Sequence, residues 1–154
     1  MKESLIRDQI IVRPMTDEDI YDASSLEAMV FSMPWKAEDF LEMVKATYAH
    51  YFVATVDESI VGIIGLRDIA GEGEITNVAV NPDYRRCGIA RMLMQRALDK
   101  CDELGISDVT LEVRASNEAA ISLYEAFGFK SEGVRPRFYE HPTEDALIMW
   151  KRYS

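Results

Sequence analysis

Between Asn77 and Arg91 the chain reads Asn-Val-Ala-Val-Asn-Pro-Asp-Tyr-Arg-Arg-Cys-Gly-Ile-Ala-Arg, and no other stretch narrows the possible folds as far. Apolar alternation over residues 75–80 predicts a strand, and Asn81-Pro82-Asp83 opens a turn. Gly88 then leads into a periodic run that predicts a helix over residues 89–104, closed by Gly105. A helix start has backbone N–H groups without intrahelical partners and a partial positive charge of about half a unit. Arg85, Arg86 and Arg91 stand beside this one. Such a helix start suits a phosphate group, and Gly88 with the small Ala90 lets the backbone close on a bulky diphosphate. The same residues could also make an ordinary strand-to-helix turn carrying a solvated arginine cluster. A Walker-type loop is excluded, because no Gly-Lys-Ser/Thr follows.

The flanking pattern predicts an α/β domain. Residues 10–13 read as a first strand stopped by Pro14. Thr16 or Asp17 caps a first helix with Ile20, Ala23, Leu26 and Val30 on one stripe. A second helix begins near Trp35 and runs towards Thr47, with Phe40, Leu41 and Val44 spaced for one face. Residues 51–56 and 60–66 form a hairpin through Asp57-Glu58-Ser59, and residues 74–80 form the fourth strand. Val109, Leu111 and Val113 alternate as a fifth strand, and Asn117 caps a fourth helix bearing Ala120, Leu123, Tyr124 and Phe127, ended by Gly128. Residues 129–134 and 146–151 are the last strands, separated by a loop holding Arg135, Arg137, Tyr139 and His141. The strand–helix–strand order after residue 74 demands a crossover, so strands four and five are expected to be parallel neighbours in an otherwise antiparallel sheet.

Composition limits the partners. The chain has 154 residues, 48% of them hydrophobic, which fits one domain spanning residues 1–154 with its own core. No apolar run approaches the roughly 18 residues of a membrane span, so no membrane association and a cytoplasmic location are the simplest expectations. Lys and Arg number 17 against 27 Asp and Glu, a formal charge of -10 that repels nucleic acid and favours a basic amine, peptide or protein. Cys87 and Cys101 are too few for a disulfide framework or zinc site, and His50 and His141 have no metal or triad spacing. Cys101 shares a helical stripe with Leu93, Ala97 and Leu104 and reads as core, as do the methionines around Met92 and Met94.

Arg85-x-x-Gly88-x-Ala90, following Val78-Ala79-Val80, resembles the acetyl-CoA signature Gln/Arg-x-x-Gly-x-Gly/Ala of the GNAT N-acetyltransferases. Leu111-Glu112-Val113-Arg114-Ala115-Ser116-Asn117, then Ala120, Leu123-Tyr124-Glu125 and Gly128-Phe129, resembles the ribosomal-protein-alanine N-acetyltransferases (RimI) within that superfamily. The match runs with gaps from Met33-Pro34-Trp35 to Glu144-Asp145-Ala146 and Met149. This resemblance implies the acyl-CoA N-acyltransferase fold, in which strands four and five splay and acetyl-CoA enters the gap as co-substrate, without a metal. It also implies an acceptor that is the N-terminal α-amine of an alanine-starting ribosomal protein.

Carried over by position, Glu112 falls on the family's general base and Tyr124 on its general acid. Val78, Ala79 and Val80, together with Arg86, Cys87, Gly88, Ile89, Ala90 and Arg91, fall on the cofactor-binding segments, and Asn117 on a cofactor-contacting asparagine. Trp35, Arg135, Arg137 and Tyr139 fall on the borders of the acceptor groove, where this chain has Met33 and Phe138 in place of the family's more usual Phe and Tyr.

These residue types suit the chemistry. An ammonium has no lone pair, so a carboxylate, directly or through a water, must take a proton before the nitrogen attacks a thioester. A departing thiolate benefits from a proton that a phenol can give, and backbone N–H groups at the end of strand four could hold the developing oxyanion. Read by pattern alone, Glu112 is equally an exposed strand residue, Tyr124 a core aromatic and Asn117 a helix cap. Two other functions fit the same chain: acetylation of a small cationic amine such as a polyamine, and a CoA-sensing or interaction module without turnover.

Overall fold

The computed structural model describes residues 8–152, so the ends of the expected 1–154 domain, residues 1–7 and 153–154, lie outside the described residues. Seven strands form a single sheet in the order β1-β2-β3-β4-β5-β7-β6. The strands are β1 (Ile11–Pro14), β2 (Ala49–Val56), β3 (Ser59–Ile69), β4 (Glu72–Val80), β5 (Val109–Arg114), β6 (Lys130–Tyr139) and β7 (Glu144–Lys151). The helices are α1 (Ile20–Val30), α2 (Ala37–Lys45), α3 (Ile89–Leu104) and α4 (Glu118–Ala126).

β2 and β3 are buried on both faces, which is why each reads as an unbroken apolar run rather than an alternation. On one face Ala23 and Leu26 of α1 and Phe40 and Met43 of α2 pack against Tyr51, Val53, Ile63 and Ala79. On the other, Leu93, Met94, Ala97 and Cys101 of α3 meet Phe52, Ile64, Leu66 and Ile75, and the cluster extends through Leu111 and Val113 to Tyr124. Burial pushes the Cys101 thiol up to about 11, in keeping with a packing role.

Every neighbouring pair is antiparallel except β4 and β5, which run parallel as the α3 crossover requires. These two strands match only at Gly73 with Val109 and Glu74 with Thr110. Beyond that point β4 stays paired with β3 as far as Val80, and β5 with β7 as far as Arg114. The sheet therefore splits from about its centre to one end, as the family resemblance implied.

Of the boundaries that differ from the sequence reading, two bear on the site. Helix α2 begins at Ala37 rather than near Trp35, because Asp39 Oδ2 accepts the Lys36 amide at 2.9 Å and closes the first turn there. The last strand pair is longer than expected: β6 continues to Tyr139, so Arg135, Arg137 and Tyr139 belong to a strand and not to a loop. Irregular register between Arg135 and Tyr139, with Arg137 at φ 52°, interrupts the alternation on which the sequence reading relied.

Gly65 lies opposite Tyr51 across β2 and β3, and the Tyr51 ring occupies the space over it. An alanine methyl at this position would overlap that ring and lie 2.6 Å from Thr76 Oγ1. Gly65→Ala is expected to lower stability by about 1–3 kcal/mol through overpacking, seen as a lower urea midpoint at unchanged slope.

Candidate functional site

The split between β4 and β5 brings three separate parts of the chain to one place. At its cofactor end, the turn Asn81-Pro82-Asp83 is fixed by Asn81 Oδ1, which accepts the Asp83 amide at 2.9 Å. The loop then turns through Arg86 at φ 67° and Gly88 at φ 81°, the second being a left-handed conformation that glycine adopts without steric cost. Gly88 is the N-cap of α3 and supplies no side-chain cap, and the first hydrogen bond of the helix is Met92 N to Gly88 O at 3.0 Å. The amides of Ile89, Ala90 and Arg91 precede that bond, so they are offered to an anion. Arg85, Arg86 and Arg91 are exposed around them, while Cys87 is buried with its thiol 3.7 Å from the Arg85 carbonyl. These features fit the diphosphate of CoA.

Asn117 caps α4 by accepting the Ala120 amide at 3.2 Å and remains exposed. The Arg91 guanidinium lies 5.6 Å from the Phe127 ring centre, joining the start of α3 to the end of α4 on this side of the sheet. Val78, Ala79 and Val80 form the end of β4 along the split.

The two candidate proton-transfer groups enter from opposite faces. Leu111 and Val113 point into the α3 and α4 core, so Glu112 between them projects to the face covered by α1 and α2. Tyr124 stands on the α3 and α4 side, 6% exposed, its ring 6.2 Å from Phe129, and burial pushes its phenol well above the ordinary range. Tyr139 is felt by both: burial and the Glu112 charge raise its phenol to about 12, and Tyr139 in turn raises Tyr124.

Arg135 Nε lies 3.4 Å from Glu112 Oε2, yet that oxygen, although buried, accepts no hydrogen bond from the described residues. A buried carboxylate oxygen that is ion-paired but accepts no hydrogen bond is uncommon and has unused accepting capacity. Arg135 and Tyr139 thus join Glu112, and Tyr139 also interacts with Tyr124. Arg137 does not join them; its side chain is exposed on the hairpin and its amide is tied to Asp145 Oδ1 at 3.0 Å. Trp35 is half-buried, stacked 6.1 Å from Tyr51 and 5.3 Å from Phe40, which makes it part of the support beneath the α1 to α2 loop.

Two contributors escaped the sequence reading. Arg114 donates to the carbonyls of Glu140 and Pro142, both at 2.9 Å, pairs with Glu144 and lies 4.6 Å from the Tyr139 ring centre. It therefore holds the β6 to β7 hairpin over the split, and Ser32 Oγ donates to the Glu140 carbonyl at 3.1 Å from the other side. The second is Glu27, 2% exposed on α1 and bonded to Asn77 of β4. A carboxylate flanked by Ala23, Leu26 and Val30 was the available signal. Among the described residues no three His, Cys, Asp or Glu side chains group as a metal site would require, and no helix is long and apolar enough to cross a membrane.

Residues 18–129 match the model of the acetyltransferase (GNAT) family. The chain is similar to the ribosomal protein bS18-alanine N-acetyltransferase of Salmonella typhimurium, at 33% identity over 139 residues, covering 88% of this chain and 92% of that protein. It is 32% identical over 146 residues to the N-alpha-acetyltransferase RimI of Mycobacterium tuberculosis, covering 91% of this chain and 90% of that one. The crystal structure of the ribosomal-protein-S18-alanine N-acetyltransferase from Escherichia coli superposes with a TM-score of 0.87 at 30% identity, over 94% of both chains.

The buried phenols give a pH signature. Tyr51 and Tyr139 are raised to about 12 by burial, against about 10 for a free phenol, and Tyr124 is raised further. Above pH about 10 the unfolded chain loses these protons first, so the stability present below that pH should be lost as the pH rises through about 12. Phenolate absorbance followed alongside urea midpoints is expected to show these tyrosines ionising late and together with unfolding. Complete ionisation near pH 10 in the folded protein would contradict this placement.

Proposed function

Because this chain belongs to the acetyltransferase (GNAT) family, an acetyl-CoA-dependent class of N-acetyltransferases, we propose that its acceptor is the N-terminal α-amine of a protein, an alanine-starting ribosomal protein in particular. The observation that carries the reading is the buried Glu112 carboxylate oxygen, which accepts no hydrogen bond from the described residues and is only ion-paired with Arg135, on the strand that borders the split, with Tyr124 on the opposite face. We further propose that the chain works as one domain and in the cytoplasm.

Bound acetyl-CoA supplies a thioester carbonyl and a thiolate leaving group. The α3 start, with Arg86, Cys87, Gly88, Ile89, Ala90 and Arg91, would hold the diphosphate, and the free edge formed by Val78, Ala79 and Val80 would align the arm that carries the thioester. Asn117 would add a contact from α4.

Glu112 then takes the proton from the acceptor ammonium, directly or through a water, using the oxygen that no described donor occupies. An α-amine near pKa 8 asks less of such a base than a lysine near about 10.4. Backbone amides at the end of β4, past the irregular stretch near Asn77, would be available to a negative charge developing on the carbonyl oxygen. Tyr124, a phenol that burial keeps firmly protonated, is suited to donating to the departing sulfur and unsuited to acting as a base.

Arg135, at 3.4 Å from Glu112, and Tyr139 form the hairpin wall of the acceptor entrance, with Trp35 supporting the opposite loop. The exposed Arg137 would be available to the acceptor beyond its first residues.

Glu112→Gln is expected to lower turnover by about 10²- to 10⁴-fold while the acetyl-CoA dissociation constant stays nearly constant. Mass spectrometry after incubation with labelled acetyl-CoA is expected to show transfer to the α-amine of an alanine-initiated basic peptide, at higher kcat/KM than to spermidine. A preference for spermidine would assign the chain to small cationic amines, and CoA release no faster than background would leave only a binding role.

A further inference from the structure

Glu27 is buried like an aliphatic core residue, at 2% exposure, on the face of α1 that packs against the sheet. A carboxylate there loses its hydration, and burial raises its proton affinity against two hydrogen bonds that pull the other way. Those two bonds lead to different parts of the chain. Oε1 accepts the Trp35 amide at 3.0 Å, and Oε2 accepts Asn77 Nδ2 at 2.7 Å.

Asn77 is the irregular point of β4. Its φ is 55°, in the left-handed region that a strand residue normally avoids. The pairing with β3 slips at this position: Ala79 faces Ile63, but Thr76 faces Gly65, so Asn77 and Val78 together span the single residue Ile64. The Asn77 side chain is held at its other end as well, since Oδ1 accepts the Tyr51 hydroxyl at 3.0 Å, and that hydroxyl lies 2.8 Å from Thr76 Oγ1. This bulge immediately precedes Val78, Ala79 and Val80, where β4 no longer has β5 beside it. Trp35 opens the turn into α2, on the acceptor side.

We propose that Glu27 is a positioning residue for acetyl transfer: by bonding Asn77 and the Trp35 turn at once, it sets the β4 bulge and the acceptor-side loop in one frame. The inference rests on the acetyl-transfer reading above. It does not give Glu27 contact with either substrate, because the side chain is closed off by its own partners.

A carboxylate is needed at this position because both neighbours are donors. A glutamine would have one oxygen for the two, and its NH₂ would face a donor. The correct arrangement can nevertheless be restored by exchanging the groups. With Glu27→Gln and Asn77→Asp combined, the amide introduced at position 27 keeps an oxygen for Trp35 and donates to the carboxylate introduced at position 77. That carboxylate still accepts from Tyr51, and aspartate tolerates the left-handed conformation much as asparagine does.

The experiment compares wild type, Glu27→Gln and the exchanged double variant with the amine that wild type acetylates. The expected result is a kcat lower by about 10- to 100-fold in Glu27→Gln, the size of loss that a misplacement of about 1 Å produces, with acetyl-CoA affinity within about threefold. Return of kcat to within about fivefold of wild type in the double variant would establish the exchange. Wild-type kcat in Glu27→Gln, or a double variant no more active than the single one, overturns the proposal. Should Glu27→Gln fail to fold, Asn77→Gly keeps the left-handed backbone and removes the bond; wild-type kcat there overturns the proposal equally.

Hydrogen exchange reads the same clamp without any acceptor. Amides at residues 76–80 should exchange about tenfold faster or more in Glu27→Gln and recover in the double variant. Unchanged exchange rejects the clamp, whereas altered exchange in a protein whose wild type acetylates no α-amine rejects the acceptor reading alone.

Discussion

Everything that this molecule can do to a substrate depends on β4 and β5 parting after two matched pairs. A sheet interior normally leaves no backbone donor or acceptor without a strand beside it, since buried unpaired groups are costly. Here β4 keeps its β3 side and β5 its β7 side, but the facing edges separate. The separation is sustained from both faces. Tyr124 and Phe129 join the α3 core beneath one margin, while Glu27 and Tyr51 engage β4 at the other. A substrate lying in such a gap can complete a sheet edge, and the same gap lets one reactant approach from the α3 side and the second from the α1 side. The opposed orientations of Glu112 and Tyr124 suit the roles proposed for them, a base for the amine on one side and an acid for the leaving group on the other.

Charge is distributed in the same divided manner. The chain carries a formal charge of -10, yet three exposed arginines surround the free amides of the α3 start. A polyanionic ligand repelled by the molecule as a whole is thereby accepted at one point, where helix polarity and side-chain charge act together. The acidic excess of the whole chain favours the approach of a cationic amine. Arg135 limits this effect next to Glu112, so the carboxylate does not present an uncompensated charge to every passing cation. An ammonium approaching Glu112 Oε2 would compete with the Arg135 guanidinium for the same oxygen, which sets a geometric test in addition to an electrostatic one.

The elements proposed to bind phosphate were legible because their determinants are local. Gly88 and Gly105 bracket α3 and both adopt positive φ, at 81° and 71°, as glycines at helix ends do. Asn117 was readable as a cap for the same reason. The parallel pairing of β4 and β5 followed from the order of strand and helix alone. Glu27 was not legible, since one carboxylate on an apolar stripe looks like the edge of that stripe until its partner, fifty positions away, is known. The length of β6 was missed because Pro136 and the positive φ of Arg137 break the alternation that identifies a strand. Trp35 and Arg137 show the limit of transfer by position, which does not say whether a side chain packs under a loop, as Trp35 does, or is exposed on a hairpin, as Arg137 is.

The β6 to β7 hairpin, the proposed border of the acceptor entrance, is built differently from the α3 start proposed to hold the cofactor, and this difference has a physical consequence. The α3 start rests on a packed core with Ile89, Leu93 and Met94 fully or almost fully buried. The β6 to β7 hairpin has little such support; Val134, Phe138 and Arg135 are exposed, and its tip is held by Arg114 through two carbonyls, Glu144 and the Tyr139 ring. Polar contacts of this kind specify orientation while contributing modestly to stability, because each replaces an interaction with water. Substitutions at the hairpin can therefore alter which amine is admitted without disturbing the strand that carries Glu112 or the helix that carries Tyr124. A scaffold that anchors its reaction centre in the core and its selectivity in a polar clasp can change acceptor while the chemistry stays the same.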